Sequence, residues 1–256
     1  MGERVRCLVI AHRGASGTHP ENTIAAFRRA VDVGAGMIEL DVQLTRDRHV
    51  VVIHDATLDR TTDGRGPVSA VTLAELRRLD AGGWFAPGFA GERVPTLAEV
   101  LAAVPVPVNV ELKPARDDDG LERCALGEVE EAGAIGRVVF SSFAAAALER
   151  LRAEAPSADV AVLWEHDPVP HAILLAERVN ARALHLRKDA ATPAALSAAR
   201  AAGLAVRVWT VNAQADFDRL VAAGADGVFT DFPERFLHNA PAGAARAGTP
   251  PRTDLD

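Results

Sequence analysis

Two short stretches of this sequence set charged side chains at alternate positions. MIELDV carries Glu39 and Asp41, and VNVELK carries Glu111 and Lys113. Two further apolar runs end in a histidine, giving His12-Arg13 after LVIA and His54-Asp55 after VVVI. In an extended chain, residues two apart share a face. Glu39 therefore sides with Asp41, and Glu111 with Lys113. If the two runs are neighbouring strands, three carboxylates meet. Unit charges about 4 Å apart repel by about 4 kcal/mol at an effective dielectric near 20, so such a trio needs a proton, a basic partner or a metal. All-oxygen donors favour a hard divalent cation, Mg2+ or Ca2+, and with no cysteine nearby zinc fits less well. Arg13 can contact a phosphate with two nitrogens, whereas Lys113 acts as a point charge. A hard cation and basic groups neutralise phosphoryl oxygens. Two histidines suit paired proton transfer near neutral pH. This set fits the cleavage of a phosphate ester.

These residues must be held at strand ends, and the chain supplies the strands. Apolar runs occur at Leu8–His12, Met37–Val42, Val50–His54, Val106–Leu112, Val138–Ser142, Ala158–Trp164, Ala183–Leu186, Ala205–Val211 and Gly227–Thr230. Between most of them lie segments of helical period, such as 23–33, 121–132, 144–153, 193–202 and 214–223, several ending at a glycine (Gly34, Gly133, Gly203, Gly224). Strand–helix alternation predicts a parallel sheet, and 256 residues suit one α/β barrel. The run Val50–His54 is one strand too many. Only a short turn separates it from Met37–Val42, while a parallel crossover needs about a dozen residues. It is therefore read as the return arm of an antiparallel hairpin. If the turn centres between Asp47 and Arg48, Asp41 faces His54. The fold expected is α/β: a (β/α)8 TIM barrel over residues 1–238 with a small insertion, about 55–95, after the second barrel strand. Residues 239–256, rich in Ala, Gly and Pro, read as a disordered tail. Barrel chemistry sits at the C-terminal strand ends, where the charged residues fall together with Trp209, Asn212 and Asp231.

Composition narrows the partners. A net charge of −7 argues against nucleic-acid binding. The N-terminal apolar run is too short for a signal peptide, and no run reaches the roughly 20 apolar residues of a membrane span. The two cysteines imply no disulfide framework. A cytoplasmic protein without stable membrane association, monomeric or homodimeric, is expected.

The stretches AHRGASGTHPENTIAAF, GMIELDVQLTRDRHVVVIHDATLDRTTDGRG, ERVPTLAEVL, VNVELK, VWTVN and DGVFTDFP resemble the glycerophosphodiester phosphodiesterase family. The resemblance runs from about residue 8 to 236. It implies a TIM barrel with an insertion after the second strand. It implies Glu39, Asp41 and Glu111 as metal ligands, His12 and His54 as the acid–base pair, and Arg13 and Lys113 beside the phosphate. It also implies Trp209 as an aromatic at the substrate mouth, with Phe143 lining the same pocket. The implied reaction is hydrolysis of a small glycerophosphodiester to glycerol 3-phosphate and an alcohol such as choline, ethanolamine or glycerol. The turn Arg46-Asp47-Arg48-His49 departs from the family's usual Asp-Gly pair. A glycosidase using Glu39 and Glu111 leaves the histidines, Arg13 and Lys113 unexplained. A silent binding module leaves His12 and His54 unexplained. A lysophospholipid substrate would need an apolar face, which Trp84, Phe85 and Phe89 could supply.

Overall fold

A computed structural model describes residues 7–166 and 168–237; the tail from residue 239 lies outside the described residues. The elements are β1 (Leu8–Ala11), α1 (Ile24–Asp32), β2 (Met37–Leu44), β3 (Val50–Val52), α2 (Leu73–Leu76), α3 (Leu97–Ala103), β4 (Val108–Leu112), α4 (Leu121–Glu131), β5 (Val138–Ser142), α5 (Ala145–Glu154), β6 (Asp159–Trp164), α6 (Val169–Arg178), β7 (Ala183–Arg187), α7 (Pro193–Ala201), β8 (Ala205–Trp209), α8 (Gln214–Ala223), β9 (Gly227–Thr230) and α9 (Glu234–Leu237). Eight strands pair in parallel in the order β1-β2-β4-β5-β6-β7-β8-β9, and β9 pairs back onto β1. The barrel is closed, with its helices outside: a (β/α)8 TIM barrel, as the alternation predicts. Helices α6 and α9 are not among the helical segments read from the sequence. Among the described residues, no helix is long and apolar enough to cross a membrane.

Local sequence explains the elements. In β2 every residue is buried, because both faces of a barrel strand are covered. Helix α1 buries Ala26, Phe27 and Ala30 and exposes Arg28 and Arg29, a stripe at helical spacing. Thr23 caps it by accepting from the Ala26 amide. Thr72 with Glu75, and Thr96 with Glu99, form reciprocal caps that start α2 and α3. The glycines expected to close helices, Gly34, Gly133, Gly203 and Gly224, all have positive φ.

Strand β3 is antiparallel to β2, but the register differs by one residue from the expected one. Val42 faces Val52 and Leu44 faces Val50, so Asp41 lies opposite Ile53, whose amide donates to the Asp41 carbonyl at 2.9 Å. The cause is the turn. Thr45 and His49 close a three-residue loop in which Arg48 takes φ +68°, the left-handed position that follows a type I turn in such loops. His54 comes after the last paired residue. Buried Gln43 fixes its position, with Nε2 within hydrogen-bonding distance of the carbonyls of Ile53 (3.0 Å), His54 (3.0 Å) and Asp55 (2.7 Å).

Between β3 and α3, residues 55–95 gather an apolar cluster distinct from the main core: Leu58, Val68, Leu76, Ala81 and Val94, packed on Val51 and Ile53 of the hairpin. Arg46 and Asp47 of the hairpin turn bond Ala70 and the Leu73 amide of the same segment.

Candidate active site

Strand register brings the acidic residues together. Asp41 and Glu111 are direct neighbours across β2 and β4, and Glu39 lies two residues back on the same face. One carboxylate oxygen from each lies within 4.8 Å of the others. Glu39 and Asp41 are almost wholly buried. Burial, with Asp41 and Glu111 close by, pushes the Glu39 carboxyl well above its ordinary value. Burial and Asp41 raise Glu111 to about 7, against the pull of Lys113. Asp41 is also buried, yet Arg13, Lys113, His54 and Asn22 together hold it below the ordinary carboxylate value.

The donor set fits a hard divalent ion. Three carboxylates converge, two of them buried and Glu111 half-buried; Glu39 and Glu111 are reluctant to ionise, and among the described residues Asp41 Oδ1 has no hydrogen-bond partner. Lys113 Nζ stands 3.0 Å from Glu111 Oε1 and 3.6 Å from Asp41 Oδ1, offsetting part of the negative charge.

Each histidine has its Nδ1 held by a carboxylate. His12 donates to Asp231 Oδ1 at 2.7 Å, and His54 to Asp55 Oδ1 at 2.7 Å. That fixes both rings and leaves each Nε2 for proton transfer. Asp231 is further held by Asn212 Nδ2 at 2.6 Å and by Ser16 Oγ at 3.0 Å. Asp55 is held by Arg60, whose hydrogen bonds push its carboxyl far below the usual range. Burial lowers the His54 ring value despite Asp41 and Asp55.

Arg13 leaves β1 in the left-handed region, at φ +55°. The conformation is costly for a residue with a Cβ, and polar contacts hold it. The Arg13 amide donates to Glu39 Oε2 at 2.8 Å, and its carbonyl accepts from the Asn22 amide at 3.0 Å. Its guanidinium meets Glu21 Oε1 at 2.8 Å and Asp41 Oδ2 at 3.3 Å. Gly14 follows at φ +82°, and a Cβ there would lie 2.7 Å from the Ala26 backbone.

A cavity of about 250 Å³ joins His12, His54, Arg13, Lys113, Glu39 and Glu111, with Phe143 and Trp209 along one side. These two rings meet edge to face, 5.7 Å apart at 87°. The structure therefore brings the expected residues to one mouth, with Asp41 beside Glu111 across β2 and β4 and outside the cavity lining. Sequence spacing gives no role to Glu21, Asn22, Asp55, Asp231, Asn109 or Glu165, which contact the expected site residues or line the cavity, nor to Arg60 and Asn212, which hold partners of those residues. Asp55 and Asp231 carried a signal, one adjacent to His54 and the other at the last strand end. Glu21 and Arg60 meet only through folding.

Comparisons with known proteins agree with this geometry. Residues 12–235 match the glycerophosphoryl diester phosphodiesterase family. The chain is 41% identical over 240 residues to a glycerophosphodiester phosphodiesterase of Caldanaerobacter subterraneus subsp. tengcongensis, covering 91% of this chain and 98% of the relative. It is 34% identical to a glycerophosphodiester phosphodiesterase of Bacillus subtilis, covering 90% and 85%. A similar solved structure is that of a phosphodiesterase from Oleispira antarctica in complex with the product sn-glycerol-3-phosphate. It has TM-score 0.82 and 33% identity, and the match covers 90% of this chain and 95% of that one.

Proposed function

Since the chain belongs to the glycerophosphoryl diester phosphodiesterase family and is thus a phosphoric diester hydrolase, we propose that it cleaves small glycerophosphodiesters, such as glycerophosphocholine or glycerophosphoethanolamine, to glycerol 3-phosphate and the free alcohol. One observation carries this reading: two carboxylate-held histidines, a largely buried carboxylate trio and two cationic side chains converge at one barrel mouth. The product held by the Oleispira antarctica relative supports it.

In this reading Glu39, Asp41 and Glu111 hold Mg2+ or Ca2+, which supplies electrophilic stabilisation of the phosphoryl oxygens. Arg13 and Lys113 take the remaining phosphate charge, and Phe143 and Trp209 line the organic part of the substrate. One of His12 and His54 takes the proton from the attacking oxygen. The other gives a proton to the departing alcohol oxygen as its bond to phosphorus breaks. The protons balance, with one removed from the nucleophile and one delivered to the alcohol. Asp231 and Asp55 keep each Nδ1 in the donating state, so proton exchange is confined to Nε2. Two unpaired cysteines fit the cytoplasmic setting expected for such an enzyme.

The test is glycerol 3-phosphate release from glycerophosphocholine by EDTA-treated protein, before and after adding Mg2+ or Ca2+. His12→Ala and Glu39→Ala are assayed alongside. Activity that returns with the metal and is missing from both variants is the expected result. Full activity in EDTA, or in either variant, would overturn the assignment of these residues.

A further inference from the structure

One residue in the cavity does not fit a site built for a phosphate. Glu165 follows β6 and lines the same cavity as Arg13 and Lys113. It takes no part in the carboxylate trio, holds neither histidine, and, among the described residues, forms no ion pair with a lysine or arginine; its neighbour His166 lies 3.6 Å away. An unneutralised carboxylate beside a bound phosphate repels it. Its place in such a cavity makes sense if the substrate carries a positive charge of its own.

The barrel register shows where that charge would lie. Trp164 pairs with Leu186, and Arg187 pairs with Trp209, so Glu165 reaches the level of Trp209 across β7. Phe143 leaves β5 on the other side of Glu165 and meets Trp209 ring to ring at 87°. Two perpendicular aromatic walls and a carboxylate make a corner suited to an alkylammonium group, which is drawn to ring faces and to negative charge. The cations at the end of β7 are engaged elsewhere. Arg187 Nε lies 3.6 Å from Asp189, and Lys188 Nζ lies 3.4 Å from Asp216. Phe143 is 43% exposed and the Glu165 side chain 41%, so the corner opens to solvent, where a departing alcohol would project.

We propose that Glu165, Phe143 and Trp209 form a subsite for a cationic amino-alcohol group, and that Glu165 sets a preference for such diesters over those with a neutral alcohol. This rests on the phosphodiesterase reading above. The test is internal competition. Glycerophosphocholine and glycerophosphoglycerol are mixed with the metal-loaded enzyme, and released choline and glycerol are measured together, giving the ratio of the two kcat/KM values directly. Glu165→Gln lowers the choline-to-glycerol ratio about three- to fivefold, the scale of a partly exposed charge interaction. Glu165→Lys lowers it further, and Phe143→Leu lowers it about two- to fivefold through loss of a cation–ring contact. Added salt narrows the wild-type preference. Release of both alcohols at one unchanged ratio in wild type, Glu165→Gln and Glu165→Lys would overturn the subsite. Release of neither alcohol by the wild type would instead overturn the phosphodiesterase reading.

Discussion

His12 and His54 share one device, a carboxylate on Nδ1, but the two carboxylates are held differently. Asp55 is fastened by the charged Arg60, and Asp231 by the neutral donors of Asn212 and Ser16. Among the described residues no other cation is in hydrogen-bonding contact with Asp231, so it acts on His12 undiluted. Asp231→Asn should therefore lower kcat by about 10²-fold, in the range seen for lost proton transfer, while the far-ultraviolet circular dichroism stays unchanged. A kcat within threefold of wild type would show that His12 needs no such partner. The carboxylate trio makes a second prediction at this scale. Glu111 is raised to about 7 in the folded protein, and Glu39 is raised as well. Groups raised on folding stabilise the protein below their unfolded values near 4, and that contribution is lost as pH rises through the folded value. His54 and His185, both lowered on folding by burial, act in the opposite direction over this range, so the trio's effect is read against Glu39→Gln: from pH 5.5 to pH 8 the metal-free wild type should lose about 5 °C more than that variant. A divalent ion should restore the loss, and Glu39→Gln should reduce it while abolishing activity. Thermal melts in EDTA across this range decide the matter; the same pH profile in wild type and Glu39→Gln would show that the trio carries no such strain.

The hairpin of β2 and β3 is where sequence was least able to predict geometry. Period 2 and strand-end logic were enough to bring Glu39, Asp41, Glu111 and Lys113 together, because a barrel strand buried on both faces leaves one choice of inward residues. Strand ends likewise marked His12 and His54. The turn hid more. Arg48 adopts a left-handed conformation that glycine or asparagine usually signals, so the loop is three residues long and Asp41 faces Ile53. Nor could spacing show that Gln43 would gather three carbonyls below His54. Arg60 was equally hidden, since its partners lie 39 and 5 residues away in the chain. It grips Glu21 with two nitrogens and Asp55 with two hydrogen bonds, and so ties the partner of Arg13 to the partner of His54. A lysine keeps the charge but not the paired geometry. Arg60→Lys should lower kcat/KM about 10- to 100-fold with little change in melting temperature. Unaltered kinetics would mean that Glu21 and Asp55 hold their places without it.

At the scale of the molecule, two apolar clusters share the work unequally. The larger fills the space between barrel and helices, and the smaller lies in residues 55–95 against Val51 and Ile53. His54 follows Ile53 directly, so the smaller cluster supports a catalytic candidate that lies beyond the last paired residue of β3 and that β2 reaches through the Gln43 side chain. Leu76 of α2 and Leu196 of α7 are both buried, at 0% and 1% exposure, but belong to different clusters. Truncating either to alanine should cost about 2–5 kcal/mol, the usual range for a buried leucine. The consequences for activity should differ. Leu196→Ala loosens a helix packed outside β8 and should leave kcat/KM within about twofold at a temperature where the protein is folded. Leu76→Ala loosens the support of Ile53 and of the segment carrying Asp55 and Arg60, so activity should fall about tenfold or more under the same conditions. Hydrogen exchange should show faster opening confined to residues 55–95 in that variant. Equal activities in the two variants, at matched stability, would mean that the barrel alone positions His54.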